Sequence, residues 1–413
     1  MIRIQPPTAS RLCSALVVIA AVVAGQAVAA VGNSAPPDAA AVPPVPAADS
    51  FYAQPPSAAG LAMGEVVDSR PVVVRDVPAR TALESWQVKY ASQDSQGRPW
   101  TTVATILKPV GGARTDRLVA FDPWIDALDS RCNPSYQLRA GAGYLASTGM
   151  ITEIIDLAFL LDRGYTVVVP DYLGPENQFT AAYVEGRNTL DGIRAALNFA
   201  PAGLSAATPV GMFGYSGGAR GTEFAAELAA AYAPELNLAG TVAIGLPADI
   251  TNSGWRMNES LFAGIDLVSA FGRARAYPEL KLPQMFVDPD LGRQVGEMCN
   301  AELMARYAFA DGRDMTVGGR WPLADPQVAA VVSTLRAGAL GTPNAPLYLA
   351  VGSGDEVALP EDNDRLAADY RARGVDLTYV KVPGAEHITS NAVAAGPAID
   401  WLASRLDSRE ENR

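Results

Sequence analysis

Val210-Gly211-Met212-Phe213-Gly214-Tyr215-Ser216-Gly217-Gly218-Ala219 passes from a short apolar run, through small residues around one serine, into an alanine-rich segment. The run Val210 to Gly214 has the composition of a strand buried on both faces. The segment Ala219 to Tyr232 carries a helical pattern. Strand, tight turn and helix in direct succession put Ser216 on the turn. Only small neighbours tolerate such a backbone, and the turn lifts the serine hydroxyl above the sheet. The Gly217 amide then falls at a helix N-terminus, aimed where a tetrahedral oxyanion would form. A G-x-S-x-G pattern alone is weak in a chain with 37 glycines; the strand-to-helix context gives it weight.

Reading outward, the same alternation recurs. Leu118–Phe121, Tyr165–Pro170, Thr241–Ile244, Leu347–Val351 and Leu377–Val382 are further buried-strand runs. Thr152–Arg163, Ala181–Asn198, Glu361–Arg373 and Val393–Leu406 read as helices between or after them. Glu84–Ala91 and Thr101–Leu107, separated by a polar turn, form an antiparallel edge to which Arg70–Val74 is added. The fold class expected is α/β: a mostly parallel central sheet flanked by helices. No strand is evident between Ile244 and Leu347, an interval too long for a loop. We expect an inserted, mainly helical cap over residues 246–343, with the core at 57–245 and 344–406.

A serine hydroxyl needs a base within hydrogen-bond reach. The chain has a single histidine, His387, in the loop after Leu377–Val382. That scarcity excludes metal sites built from two or three imidazoles. The base needs an acid to fix its tautomer. Asp355 follows Leu347–Val351 in a glycine-rich turn and gives the order Ser…Asp…His; Glu356 and Glu386 compete for the role. The remaining composition fits a large folded domain. Of 413 residues, 49% are hydrophobic and 18% charged, against roughly 25% charged in ordinary domains. A net charge of −12 without a basic cluster excludes a nucleic-acid partner.

Arg3 and Arg11, the apolar stretch Leu12–Ala24 and Ala27-Val28-Ala29 make residues 1–29 an expected signal peptide, cleaved near Ala29. The stretch is too short for an ordinary membrane span. Residues 30–56, rich in Ala and Pro, are expected to be a flexible linker. Cleavage leaves Cys132 and Cys299, an even pair that favours a disulfide in an exported protein.

With these residues in view, the sequence resembles the secreted lipases of the α/β-hydrolase superfamily, of the Candida lipase A type, over roughly residues 85 to 405. The resemblance rests on Gly214-Tyr215-Ser216-Gly217-Gly218-Ala219, Tyr232-Ala233-Pro234-Glu235-Leu236-Asn237, Leu190-Asp191-Gly192-Ile193-Arg194-Ala195, Cys132-Asn133-Pro134-Ser135-Tyr136, Asp355-Glu356-Val357 and Ala385-Glu386-His387. It implies Ser216, Asp355 and His387 as nucleophile, acid and base. It also implies a second oxyanion donor at Asp126, six residues before Cys132, and a Cys132–Cys299 bridge. The expected function is that of a secreted serine ester hydrolase acting on lipid esters through an acyl-enzyme, without metal or organic cofactor. Its expected partners are a lipid or small ester and, transiently, a lipid interface. Rival readings are a carboxylesterase or acyltransferase on shorter esters, a peptidase, and a binding protein that kept the fold without turnover.

Overall fold

The computed structural model describes residues 42–141, 143 and 150–408. The expected signal peptide and the first part of the expected linker lie outside the described residues. Nine strands form one sheet: β1 (Val66–Pro71), β2 (Leu83–Gln93), β3 (Pro99–Pro109), β4 (Arg114–Asp122), β5 (Tyr165–Pro170), β6 (Val210–Tyr215), β7 (Leu238–Ile244), β8 (Leu347–Gly352) and β9 (Leu377–Val382). Their order is β1-β2-β3-β5-β4-β6-β7-β8-β9. The pairs β1–β2, β2–β3 and β3–β5 are antiparallel; every pair from β5 through β9 is parallel.

The burial pattern explains the sequence pattern. Every residue of β5, β6, β7 and β8 is buried, so these strands are apolar runs rather than alternations. On one face pack α2 (Met150–Asp162) and α11 (His387–Asp407). On the other pack α3 (Tyr183–Asn198), α4 (Gly217–Tyr232) and α10 (Pro360–Ala372). A short helix, α1 (Pro134–Ala140), lies between β4 and α2. The last helix begins at His387, six residues earlier than its apolar periodicity suggested, because Glu386 caps it through the Ile388 and Thr389 amides.

Two other boundaries differ from expectation. The first strand spans Val66–Pro71 rather than Arg70–Val74, and its pairing with β2 ends just after Pro71, where the Val72 amide makes a last bond to the Ser85 carbonyl at 3.0 Å. Within the expected flexible linker, Pro46–Ala48 and Ser50–Tyr52 form 3-10 turns. Composition misses this because the contacts are specific, not apolar in bulk. Asp49 pairs with Arg70 at 2.7 Å and Arg139 at 3.3 Å, Phe51 is buried beneath the Arg70 guanidinium, and the Tyr52 hydroxyl meets Ser135.

Between β7 and β8 the chain forms α5 (Ile250–Met257), α6 (Ala263–Ala276), α7 (Leu291–Gly296), α8 (Asn300–Tyr307) and α9 (Pro326–Ser333). Among the described residues its one strand-like pairing is the Phe286–Thr316 bridge. Residues of this insertion share one apolar cluster with Ile125, Ala127, Leu128, Tyr172 and Phe179 of the core. Cys132 and Cys299 are disulfide-bonded across 167 residues. The bridge ties the segment after β4 to the residue preceding α8.

Candidate active site

Parallel strands send their C-terminal ends to one edge. Register places Asp122 at the end of β4 beside Gly214 of β6, and Gly352 of β8 beside Val382 of β9. The segments leaving these strands meet there. Ser216 caps α4 with φ 54° and ψ −120°, a left-handed conformation for a residue with a Cβ. Its amide donates to Ile244 on β7 at 2.9 Å, which pins the turn to the sheet. A Cβ at Gly214 would strike the Gly218 carbonyl and one at Gly217 the Asp126 carboxylate, so the motif's glycines answer to contact as much as to backbone freedom.

Ser216, Asp355 and His387 converge. Ser216 Oγ lies 2.8 Å from His387 Nε2. His387 Nδ1 lies 3.0 Å from both Asp355 oxygens. Asp355 Oδ1 also accepts the Val357 and Ala358 amides at 2.9 and 2.7 Å, which fixes the orientation of the carboxylate. Neither competing acid takes this place. Glu356 accepts the backbone N–H of His387, and Glu386 caps the helix. The imidazole is packed between Tyr215, stacked at 5.2 Å, and Phe262 of the insertion, edge-on at 5.7 Å. Burial by itself pushes the imidazole down; the Asp355 carboxylate, with Glu356 and Glu386, outweighs it and holds His387 above its usual value.

Asp126 lies against Gly217, at the start of α4. Its φ is 42°, and its Oδ1 is buried without a hydrogen-bond partner among the described residues. Burial pushes this carboxyl up to about 7, against the opposing pull of His387. The first-turn amides of α4 have no intrahelical acceptor, so Gly217 presents a free donor next to the Asp126 segment. A hydroxyl, an imidazole and a carboxylate thus stand in hydrogen-bond series beside the first-turn amides of α4, an arrangement suited to a nucleophile, its base and an orienting acid. No cluster of metal-ligating side chains occurs among the described residues. Ser216 is only 2% exposed, and the site lies beneath the insertion.

A family model described as secretory lipase matches residues 143–412. The chain belongs to the secretory lipase family. A secreted triacylglycerol lipase of Malassezia globosa is 32% identical over 88% of this chain and 82% of its own length. A protein of Mycobacterium tuberculosis named a probable inactive lipase is 33% identical over 88% of this chain and 83% of its own. Among solved structures, Candida antarctica lipase A in its closed state superposes with a TM-score of 0.82 at 25% identity, covering 89% of this chain and 88% of that one. This secretory lipase thus has the α/β-hydrolase fold expected of its sequence and is a carboxylic ester hydrolase by class.

Sequence reasoning missed the residues that hold this site in place: Phe262 and Tyr215 around the imidazole, and Glu153 and Asn300 behind the Asp126 segment. Of these only Tyr215 lies in a motif, at its variable position beside Ser216; the others carry no sequence signal.

Proposed function

We propose that this secretory lipase hydrolyses lipidic carboxylic esters through an acyl-enzyme on Ser216. The carrying observation is the unbroken hydrogen-bond chain from Ser216 Oγ through His387 to Asp355, on a strand-to-helix elbow. His387 Nε2 takes the hydroxyl proton as Oγ attacks the ester carbonyl. Asp355 keeps Nδ1 protonated and stabilises the imidazolium. The amides of Gly217 and Asp126 hold the oxyanion. As the tetrahedral intermediate collapses, the imidazolium protonates the departing alkoxide. Water, deprotonated by the same nitrogen, then attacks the acyl carbonyl and returns Ser216 to its free form.

A lipidic substrate is supported by the apolar cluster that the insertion shares with the residues around the site, and by the Malassezia relative's name. Ser216 is 2% exposed and Phe262 of the insertion packs edge-on to the His387 ring, so the insertion bounds the space in which substrate would sit. Export is part of the proposal: the charged and apolar N-terminal stretches act as a signal peptide cut near Ala29, and no described helix is long and apolar enough to cross a membrane.

The test is hydrolysis of nitrophenyl esters of increasing acyl length by the full chain and by Ser216→Ala. We expect turnover of medium or longer acyl chains, lost by on the order of 10⁴-fold or more in the variant. Full activity in Ser216→Ala overturns the assignment. A profile restricted to short chains, or acyl transfer to an added alcohol, replaces the lipase reading by an esterase or acyltransferase. The name of the mycobacterial relative raises a second reading, a fold kept without turnover. Failure of the protein to react with a fluorophosphonate establishes that one instead.

A further inference from the structure

Asp126 holds a left-handed backbone (φ 42°) that a residue with a Cβ keeps only when its surroundings impose it. Three side chains grip the chain around it. Asn300 of α8 donates to the Ile125 carbonyl at 3.2 Å. Asn177 donates to the Ala127 carbonyl at 3.3 Å. On the other side, Glu153 in the first turn of α2 accepts the Trp124 backbone N–H through Oε2 at 2.9 Å. Pro123, just before, has no N–H to offer, so the Trp124 amide is the first donor of the segment leaving β4.

Glu153 is an expensive way to make that contact. Its side chain is fully buried, and Oε1 has no hydrogen-bond partner among the described residues. No described cation pairs with it. Asp122, Asp126 and Asp156 surround it, and burial together with these carboxylates pushes Glu153 well above its ordinary value. An apolar residue of similar size would cost far less here. What Glu153 supplies is an acceptor long enough to reach the loop from α2.

We propose that Glu153 is a positioning residue: through the Trp124 amide it sets where the Asp126 amide stands relative to Gly217, and so governs stabilisation of the oxyanion. The proposal rests on the serine mechanism above. A loop displaced by an ångström can lower the rate by up to about 100-fold without weakening ground-state binding.

The experiment compares wild type with Glu153→Leu, Glu153→Gln and Ser216→Ala in steady-state hydrolysis of one nitrophenyl ester. It adds affinity for an alkylboronic acid, whose serine adduct is tetrahedral and bears the oxyanion. Glu153→Leu, which keeps volume and removes the acceptor, is expected to lose about 10- to 100-fold in kcat with KM within about twofold. Its boronate affinity should fall in parallel. Glu153→Gln retains a carbonyl acceptor and should recover most of that loss. Leu and Gln variants equally impaired, a loss carried by KM, or a Leu variant within twofold of wild type overturns the proposal. Should the Leu variant not fold, Glu153→Asp replaces it, since the shorter arm withdraws the acceptor; an Asp variant faster than the Gln variant overturns the proposal. Activity surviving in Ser216→Ala refutes the mechanism itself, whereas an inactive Ser216→Ala beside an unaffected Glu153→Leu refutes only the positioning role.

Discussion

His387 is the one imidazole in the chain, and its surroundings set the pH at which it can serve as a base. Three nearby carboxylates hold it above the ordinary value of 6.5 despite its burial. A base must be unprotonated to act, so kcat/KM should fall on acidification with a midpoint above about 6.5. A pH–rate profile checks this, and a rate still flat at pH 5 rules out His387 as the base. Gly217 makes a second prediction at this scale. A Cβ there overlaps Asp126 Oδ1, so Gly217→Ala must push the Asp126 segment away. We expect kcat to drop by about 10² or more, near the effect of removing one oxyanion donor, with a far smaller change in melting temperature. These residues were legible because each follows a predicted strand. Glu153 was not: in Thr152-Glu153-Ile154-Ile155 it reads as a solvated helix charge, and only packing shows it to be buried.

Among the elements, the covalent tie between the segment after β4 and the insertion has the largest consequence. Cys132 and Cys299 close a loop of 167 residues, and the chain-entropy relation gives such a link about 5 kcal/mol of stability. Replacing both with serine should lower the urea midpoint markedly. It should also reduce turnover under conditions where the protein stays folded, because Asn300, next to Cys299, holds the Ile125 carbonyl. Equal stability of the double variant and wild type contradicts this. Element type was readable where a strand is buried on both faces, as β5 is, with the limits predicted from sequence; the part-buried edge strand β9 also has its predicted limits. Limits slipped where a single side chain decides them, as Glu386 does for α11. The turns at 46–52 were invisible because an ion pair and a cation–π contact, not apolar content, hold them.

The molecule as a whole joins its insertion to the core partly through buried acid. On α4, about two and three turns beyond the elbow, Glu223 and Glu227 share the Tyr370 hydroxyl of α10. Glu227 also accepts the Gly338, Leu340 and Gly341 amides, where the chain returns from the insertion to β8. Burial, then the neighbouring Glu227, pushes Glu223 up to about 8. The folded protein therefore binds this proton more tightly than the unfolded chain. The resulting stability is fully present below about pH 4.5, the ordinary glutamate value, and is lost as pH rises through about 8. Urea midpoints measured across that window should fall, and Glu223→Gln should make the fall shallower. An identical slope in the variant removes Glu223 from the account.

The sequence by itself determined the strand-and-helix alternation, the elbow at Ser216 and the candidates His387 and Asp355, because periodicity and turn chemistry are local properties. It left Asp355, Glu356 and Glu386 in competition, and was silent on strand order and on the buried acids Glu153 and Glu223. Tertiary structure decided these: which carboxylate faces an imidazole, and which charge loses its water, depends on segments distant along the chain being folded against one another, with Asp355 and His387 separated by 32 residues and Glu223 and Tyr370 by 147.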